Sequence, residues 1–308
     1  MLARARAIVA GEHTEPALTS KCKLCHWRTE CRARLVASDD LTLIPELGRD
    51  VRDRLRGTFA TIAEFAAADL APWIRGSKTT FGRLGRDRLL DFQARARLLK
   101  SPHPRPYRKA ALSLPRAERE LFFDIEVDPL RDLCYLHGFV ERTWSLDGES
   151  GERYVACFAE TATPDGERRA FAEAWEFVSR SRPCAIYYYS PYERTFWRRL
   201  QARHPGVCSA EEVDAVFADP ATVDLYTEVV RVATEWPTHD TSIKTLAKLF
   251  GFHWRDSEPS GAASIEWYHR YVETGDPALR RRLLDYNEDD CRATRVLLDG
   301  LRTLEPGP

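Results

Sequence analysis

Residues 121–127 read LFFDIEV. Leu121, Phe122, Phe123, Ile125 and Val127 have the aromatic and β-branched character of a buried strand, yet Asp124 and Glu126 interrupt the run. Side chains two apart on a strand share a face, so the two carboxylates stand side by side. Like charges this close raise each other's pKa, and a buried charge without a partner is costly. A divalent cation removes both penalties, and hard Mg²⁺ or Mn²⁺ prefers carboxylate oxygen. The stretch therefore predicts a metal site, provided that other acids reach it.

Outward from it the pattern is α/β. Strands are expected at 120–127, 134–144, 153–159 and 184–189, and helices at 167–180, 192–202, 242–250, 261–273 and 278–302. The first three strands are joined by connections too short for a crossover helix and should be antiparallel neighbours. The fourth follows a helix and can lie parallel, which gives a mixed sheet flanked by helices. In the last helix, RRLLDYNEDDCRATRVLLDGL (281–301), Tyr286 and Asp290 are four apart and share a face.

FFDIEV followed at distance by YNEDDCRAT resembles two of the sequence motifs of the DEDDy exonucleases, which have a ribonuclease H-like fold. The resemblance implies that Asp124, Glu126 and Asp290 bind metal and that Tyr286 orients the attacking water. It also implies two Mg²⁺ or Mn²⁺ ions and 3′–5′ hydrolysis of DNA or RNA phosphodiesters. A tyrosine with a pKa near 10 would hydrogen-bond the water and not deprotonate it. The remaining motif departs from the family, which has an aspartate after a strand. Here YYYSPYERTF puts Tyr192-Glu193 at that place, so Glu193 is one candidate for a further acid. Asp224, in TVDLYTEVVR, is the other. These strings, with TSIKTLAKLFG and YNEDDCRAT, are similar to the YprB-type ribonuclease H-like domain found at the C-terminus of RecB-family nucleases, over 119–304. In TSIKTLAKLFG, Ser242 and Lys244 open a helix that could meet a phosphate, or serve only as a cap and a solvated lysine. Two rival functions stay open: a nucleic-acid-binding or scaffold protein with a degenerate site, and a structure-specific endonuclease.

Net charge is −1, but residues 1–119 carry 24 Lys/Arg against 13 Asp/Glu and the remainder 22 against 34. A basic surface for a polyanion beside an acidic part that holds cations would account for this split. KCKLCHWRTEC sets Cys22, Cys25 and Cys31 at thiolate-cluster spacing, with His26 or His13 available to complete a zinc site. The run resembles the end of iron–sulfur RecB-family nucleases, whose fourth cysteine lies far upstream. Residues 1–38 therefore read as a remnant of such a domain, with an iron–sulfur cluster or Zn²⁺ as its cofactor and a separate RecB-like nuclease subunit as a partner. The segment 39–100 resembles a small all-α helix-hairpin-helix module. Gly48 takes one hairpin glycine position and Glu46 replaces the other, and a second, poorer copy follows with Gly82 and Gly85. Arg52, Arg54, Arg56, Arg83, Arg86 and Arg88 would then give sequence-independent, salt-sensitive binding. Residues 101–118 form a Pro-rich basic linker. No apolar run approaches the roughly 18 residues of a membrane span, and the apolar stretch in MLARARAIVAGEH is too short for a secretory signal, so the expected location is cytoplasmic.

Overall fold

The computed structural model describes residues 2–12, 15–19, 22, 25–145, 150–257 and 260–307. The chain divides into two units, 1–106 with 235–241, and 107–234 with 242–308. His13 lies outside the described residues.

The first unit contains α1 (Leu2–Val9), α2 (Arg28–Ala37), α3 (Gly48–Leu55), α4 (Ile62–Ala67), β1 (Ile74–Arg75), β2 (Lys78–Thr79) and α5 (Arg86–Leu99). Leu41, Ile44, Leu55, Phe65, Leu89 and Phe92 form the centre of its core. Local chemistry sets the starts of its short elements. The Thr61 hydroxyl accepts from Glu64 N at the head of α4, and Asp40 accepts from Thr42 N before α3. Among the described residues up to 106 the regular elements are helical except for an antiparallel hairpin in which Ile74 pairs Thr79 and Arg75 pairs Lys78.

The second unit contains β3 (Tyr107–Arg108), β4 (Arg119–Asp128), β5 (Leu133–Trp144), β6 (Ser150–Phe158), α6 (Pro164–Ser181), β7 (Ala185–Tyr188), α7 (Tyr192–Arg203), α8 (Ala210–Ala218) and β8 (Thr222–Asp224). A π-helical segment, Leu225–Val230, leads to α9 (Arg231–Ala233), and β9 (Thr234–Glu235) crosses to the first unit. Then come α10 (Ile243–Leu249), α11 (Gly261–Thr274) and α12 (Pro277–Leu301). The main sheet has the order β6-β5-β4-β7-β8. β4 pairs antiparallel with β5, β5 antiparallel with β6, and β7 parallel with β4 and β8. The expected mixed sheet is present, with one strand more than the sequence reading gave. β8 is three residues long, too short for alternation to register, and α8 before it starts at a Ser209–Glu212 capping box.

Alternation along β4 sorts its side chains. Leu121, Phe123, Ile125 and Val127 join a core with Phe139, Phe171, Trp197 and Phe217. The opposite face carries Glu120, Phe122, Asp124 and Glu126, and α12 packs there antiparallel to the strand. Asn287 of α12 meets Asp124, whereas Arg302, just beyond the helix, meets Glu120. The ladder between β4 and β5 shifts between Glu126 and Val127, because β5 holds one extra residue there, Tyr135.

Candidate metal centre

Asp124 and Glu126 come from β4 and Asp290 from α12, and each offers one carboxylate oxygen that lies within 4.8 Å of the other two. Glu126 and Asp290 are buried and Asp124 is partly exposed. Among the described residues this trio is the one group of three or more potential metal ligands that converges. Burial, then Asp290, Glu126 and Glu193, hold the Asp124 carboxyl well above its usual range. Glu126 is pushed up to about 8 by burial and by Asp290. Burial raises Asp290, with Lys244, Trp254 and Tyr286 pulling it back. Three buried oxygen donors that repel one another fit a hard divalent cation: no thiolate or imidazole belongs to the set, and the cation would relieve the repulsion.

Each acid is held from outside the cluster. Asn287 Nδ2 donates to Asp124 Oδ2 (2.8 Å), and the Tyr154 hydroxyl donates to Asn287 Oδ1 (2.8 Å). Asn287 lies over Gly138, where a Cβ would sit 1.5 Å from its Oδ1. The Ser264 hydroxyl donates to Glu126 Oε2 (2.9 Å), and Tyr135 donates to Ser264 (3.0 Å). Trp254 Nε1 donates to Asp290 Oδ1 (2.7 Å). Outer partners of this kind fix the orientation of metal-binding groups.

Tyr286 is buried one helical turn before Asp290. Lys244 Nζ donates to its hydroxyl oxygen (2.6 Å), lies 4.4 Å from its ring centroid, and stands 3.8 Å from Asp290 Oδ2. Burial, then Asp290, Glu126 and Asp124, raise the phenol far above its ordinary value. The phenol is therefore neutral and can donate.

The other expected residues are elsewhere. Glu193 is buried at the start of α7, accepts from the Ser190 hydroxyl (3.1 Å), and is pushed up to about 8 by burial and by Asp224. It is near enough to act on Asp124 but is not one of the converging ligands. Asp224 caps the π-helical segment, its Oδ1 accepting from Tyr226 N and Thr227 N at 3.0 Å. Ser242 accepts from Thr245 N as the cap of α10. Cys22, Cys25 and Cys31 do not converge on a common point in the way the acids do. Cys22 Sγ accepts instead from Thr19 N (3.4 Å), and Cys25 is exposed. Sequence reasoning did not single out Asn287, Ser264, Trp254, Tyr154 or Gly138. Of these only Asn287 had a signal, a poor helix former directly beside Tyr286 on a buried helix face.

The family that matches is the RNase H superfamily, over residues 121–302. The chain belongs to the RNase H superfamily. No curated protein and no solved structure matches it. RNase H-like nucleases use divalent metals, and in this superfamily member the matched span contains every acid of the converging trio. Family and acid cluster together suggest a metal-dependent nuclease, which implies a nucleic-acid substrate. Among the described residues no helix is long and apolar enough to cross a membrane.

Proposed function

We propose that the second unit is a metal-dependent 3′–5′ exonuclease of the DEDDy kind. The observation that supports it most is the convergence of Asp124, Glu126 and Asp290, with Tyr286 one turn from Asp290. Two Mg²⁺ or Mn²⁺ ions, once bound, would polarise the scissile phosphodiester and make a water nucleophilic near neutral pH. Asp124, Glu126 and Asp290 are the residues to hold them, with Glu193 as an added acid beside Asp124 and Asp224 as its rival. Tyr286, neutral and fixed by Lys244, would orient the water through a hydrogen bond while a carboxylate takes the proton. Asn287 would hold one oxygen of Asp124 and leave the other for the cation.

Further parts of the reading rest on the sequence resemblance: a YprB-type domain, an N-terminal remnant whose cysteines take an iron–sulfur cluster or Zn²⁺, and a RecB-like partner subunit. A nucleic-acid-binding protein with an inert site is the second reading. It is favoured by the commitment of Asp224 to a backbone cap and by a cation, Lys244, already facing Asp290.

The deciding experiment incubates purified protein with Mg²⁺ or Mn²⁺ and linear DNA and RNA labelled at either end, next to circular substrates. Loss of the 3′ label from linear substrates alone, absent in Asp124→Ala, is expected. Cutting of circles would replace the reading with an endonuclease. No cutting together with weak Mn²⁺ binding would favour the inert site.

A further inference from the structure

The first unit contains two related turns. Ile44-Pro45-Glu46-Leu47-Gly48-Arg49-Asp50 precedes α3, and Phe81-Gly82-Arg83-Leu84-Gly85-Arg86-Asp87 precedes α5. In each, the first residue and the leucine are buried, and the third residue is left-handed although it is not glycine, with φ 65° at Glu46 and 60° at Arg83. The two turns share their apolar anchors and one left-handed residue, and they part at the next glycine, where φ is 68° at Gly48 and −74° at Gly85.

Their charges are used in opposite ways. Around the first copy Arg49, Arg52 and Arg56 are spent internally. Arg52 is 3% exposed, donates to Pro16 O (2.7 Å) and pairs with Asp40 and Asp53. Arg49 donates to Glu15 O, Arg56 pairs with Glu15, and Glu46 is held by Arg95 (3.0 Å). Around the second copy Arg75, Lys78, Arg83 and Arg86 are exposed, and none forms an ion pair with a described residue. Arg88 beside them is exposed and stacks over Phe92. Residues 74–91 hold these five cations against two acids, Asp87 and Asp91.

The placement also works against the free protein. Arg75 and Lys78 are directly opposed across a two-residue hairpin, where like charges destabilise the pair. Lys78 bridges to Gly85, and Arg86 N donates to Ser77 O (3.1 Å), so the hairpin, the turn and the start of α5 form one block. Unpaired cations gathered on one block, at local cost, break the consistency that a purely structural segment would keep. A polyanion would offset that cost.

We infer that the β1–β2 hairpin and the Phe81–Gly85 turn, with Arg75, Lys78, Arg83 and Arg86, form a sequence-independent contact surface for the phosphate backbone of nucleic acid. The inference rests on the nuclease reading for its choice of polyanion, and it puts the contact at the second turn because Arg52, beside the first, is buried and paired. Each phosphate neutralised on a duplex releases counterions, so affinity falls with salt by about 0.9 log units per log unit for each contact.

The test is fluorescence anisotropy of labelled single- and double-stranded oligonucleotides in EDTA, over a salt series, so that binding is read without cleavage. The triple variant Arg75→Gln, Lys78→Gln, Arg83→Gln should weaken binding by about 10-fold or more at low salt and flatten the slope by about 2 to 3. A control triple, Arg168→Gln, Arg169→Gln, Arg180→Gln, should leave both unchanged. Thermal unfolding and the three single variants separate a binding loss from a folding loss, because singles that fold normally should each flatten the slope by about 1. Wild-type slope and affinity in the triple variant would overturn the inference, as would equal binding to poly-glutamate. Salt-sensitive binding without any cleavage in Mn²⁺ would sink the exonuclease reading and leave the surface standing.

Discussion

Asn287 Nδ2 donates to Asp124 Oδ2 at 2.8 Å across the interface of α12 and β4, and the same side chain accepts from Tyr154 at 2.8 Å. One amide thus ties the last helix to two strands and fixes the rotation of an acid in the cluster. Asn287→Leu should weaken Mn²⁺ binding by about 10–100-fold, the usual cost of losing such a partner. Titration of Mn²⁺ by calorimetry checks this, and Tyr154→Phe should give a smaller loss of the same kind. Unchanged affinity in both would remove Asn287 from the site.

Gly138→Ala makes a complementary prediction. The added Cβ would meet Asn287 Oδ1 at 1.5 Å, and the neighbour is the polar end of a side chain already committed at both ends. The amide must swing away, leaving Asp124 without its donor. About 1–3 kcal/mol of stability should be lost, together with Mn²⁺ affinity, as read by denaturant unfolding and calorimetry.

Tyr286→Phe should separate positioning from metal binding. The variant keeps the ring and loses the hydroxyl that Lys244 holds, while the three carboxylates stay. Turnover should fall by about 10²-fold with Mn²⁺ affinity nearly unchanged. Lys244→Met removes the cation that lowers Asp124, Glu126 and Asp290 together. It should therefore bind Mn²⁺ more tightly while turning over more slowly, and weaker binding in that variant would contradict the proposed counter-charge.

The pH dependence of stability has a definite sign. Glu126 and Glu193 have a pKa of about 8 when folded, against 4.5 in the ordinary range. The folded state binds the extra protons, so metal-free protein loses stability as pH rises from about 5 to about 8. Melting in EDTA across that window should show a falling Tm, flatter in Glu126→Gln. Added Mn²⁺ should raise the Tm most at the alkaline end, where the carboxylates are ionised.

Strand parity made Asp124 and Glu126 legible in the sequence, and helical spacing did the same for Tyr286 and Asp290, because both periods are local. The outer residues were not legible. Ser264 and Trp254 reach the acids from segments far along the chain, and nothing near them in sequence marks the contact. Asp224 looked like a free acid because a cap on a π-helical segment has no familiar spacing. Arg52 looked like a surface cation, since only the fold reveals Asp40 and Pro16 O around it. β8 escaped notice for its shortness, and the turns before α3 and α5 were visible only as a weak repeat, which the structure narrows to one shared left-handed position, Glu46 and Arg83.

The extra residue in β5 has a further consequence. Because Cys134 pairs Val127 while Leu136 pairs Glu126, Tyr135 and Leu136 both belong to the face that carries the acids. The strand changes phase at Tyr135, and its phenol becomes the support for Ser264 beneath Glu126. Removing Tyr135 would restore a regular ladder with Cys134 and Leu136 still on their present faces, and would take the phenol away from Ser264. The extra residue thus serves the site and not the sheet, which would close normally without it while Ser264 beneath Glu126 lost its support.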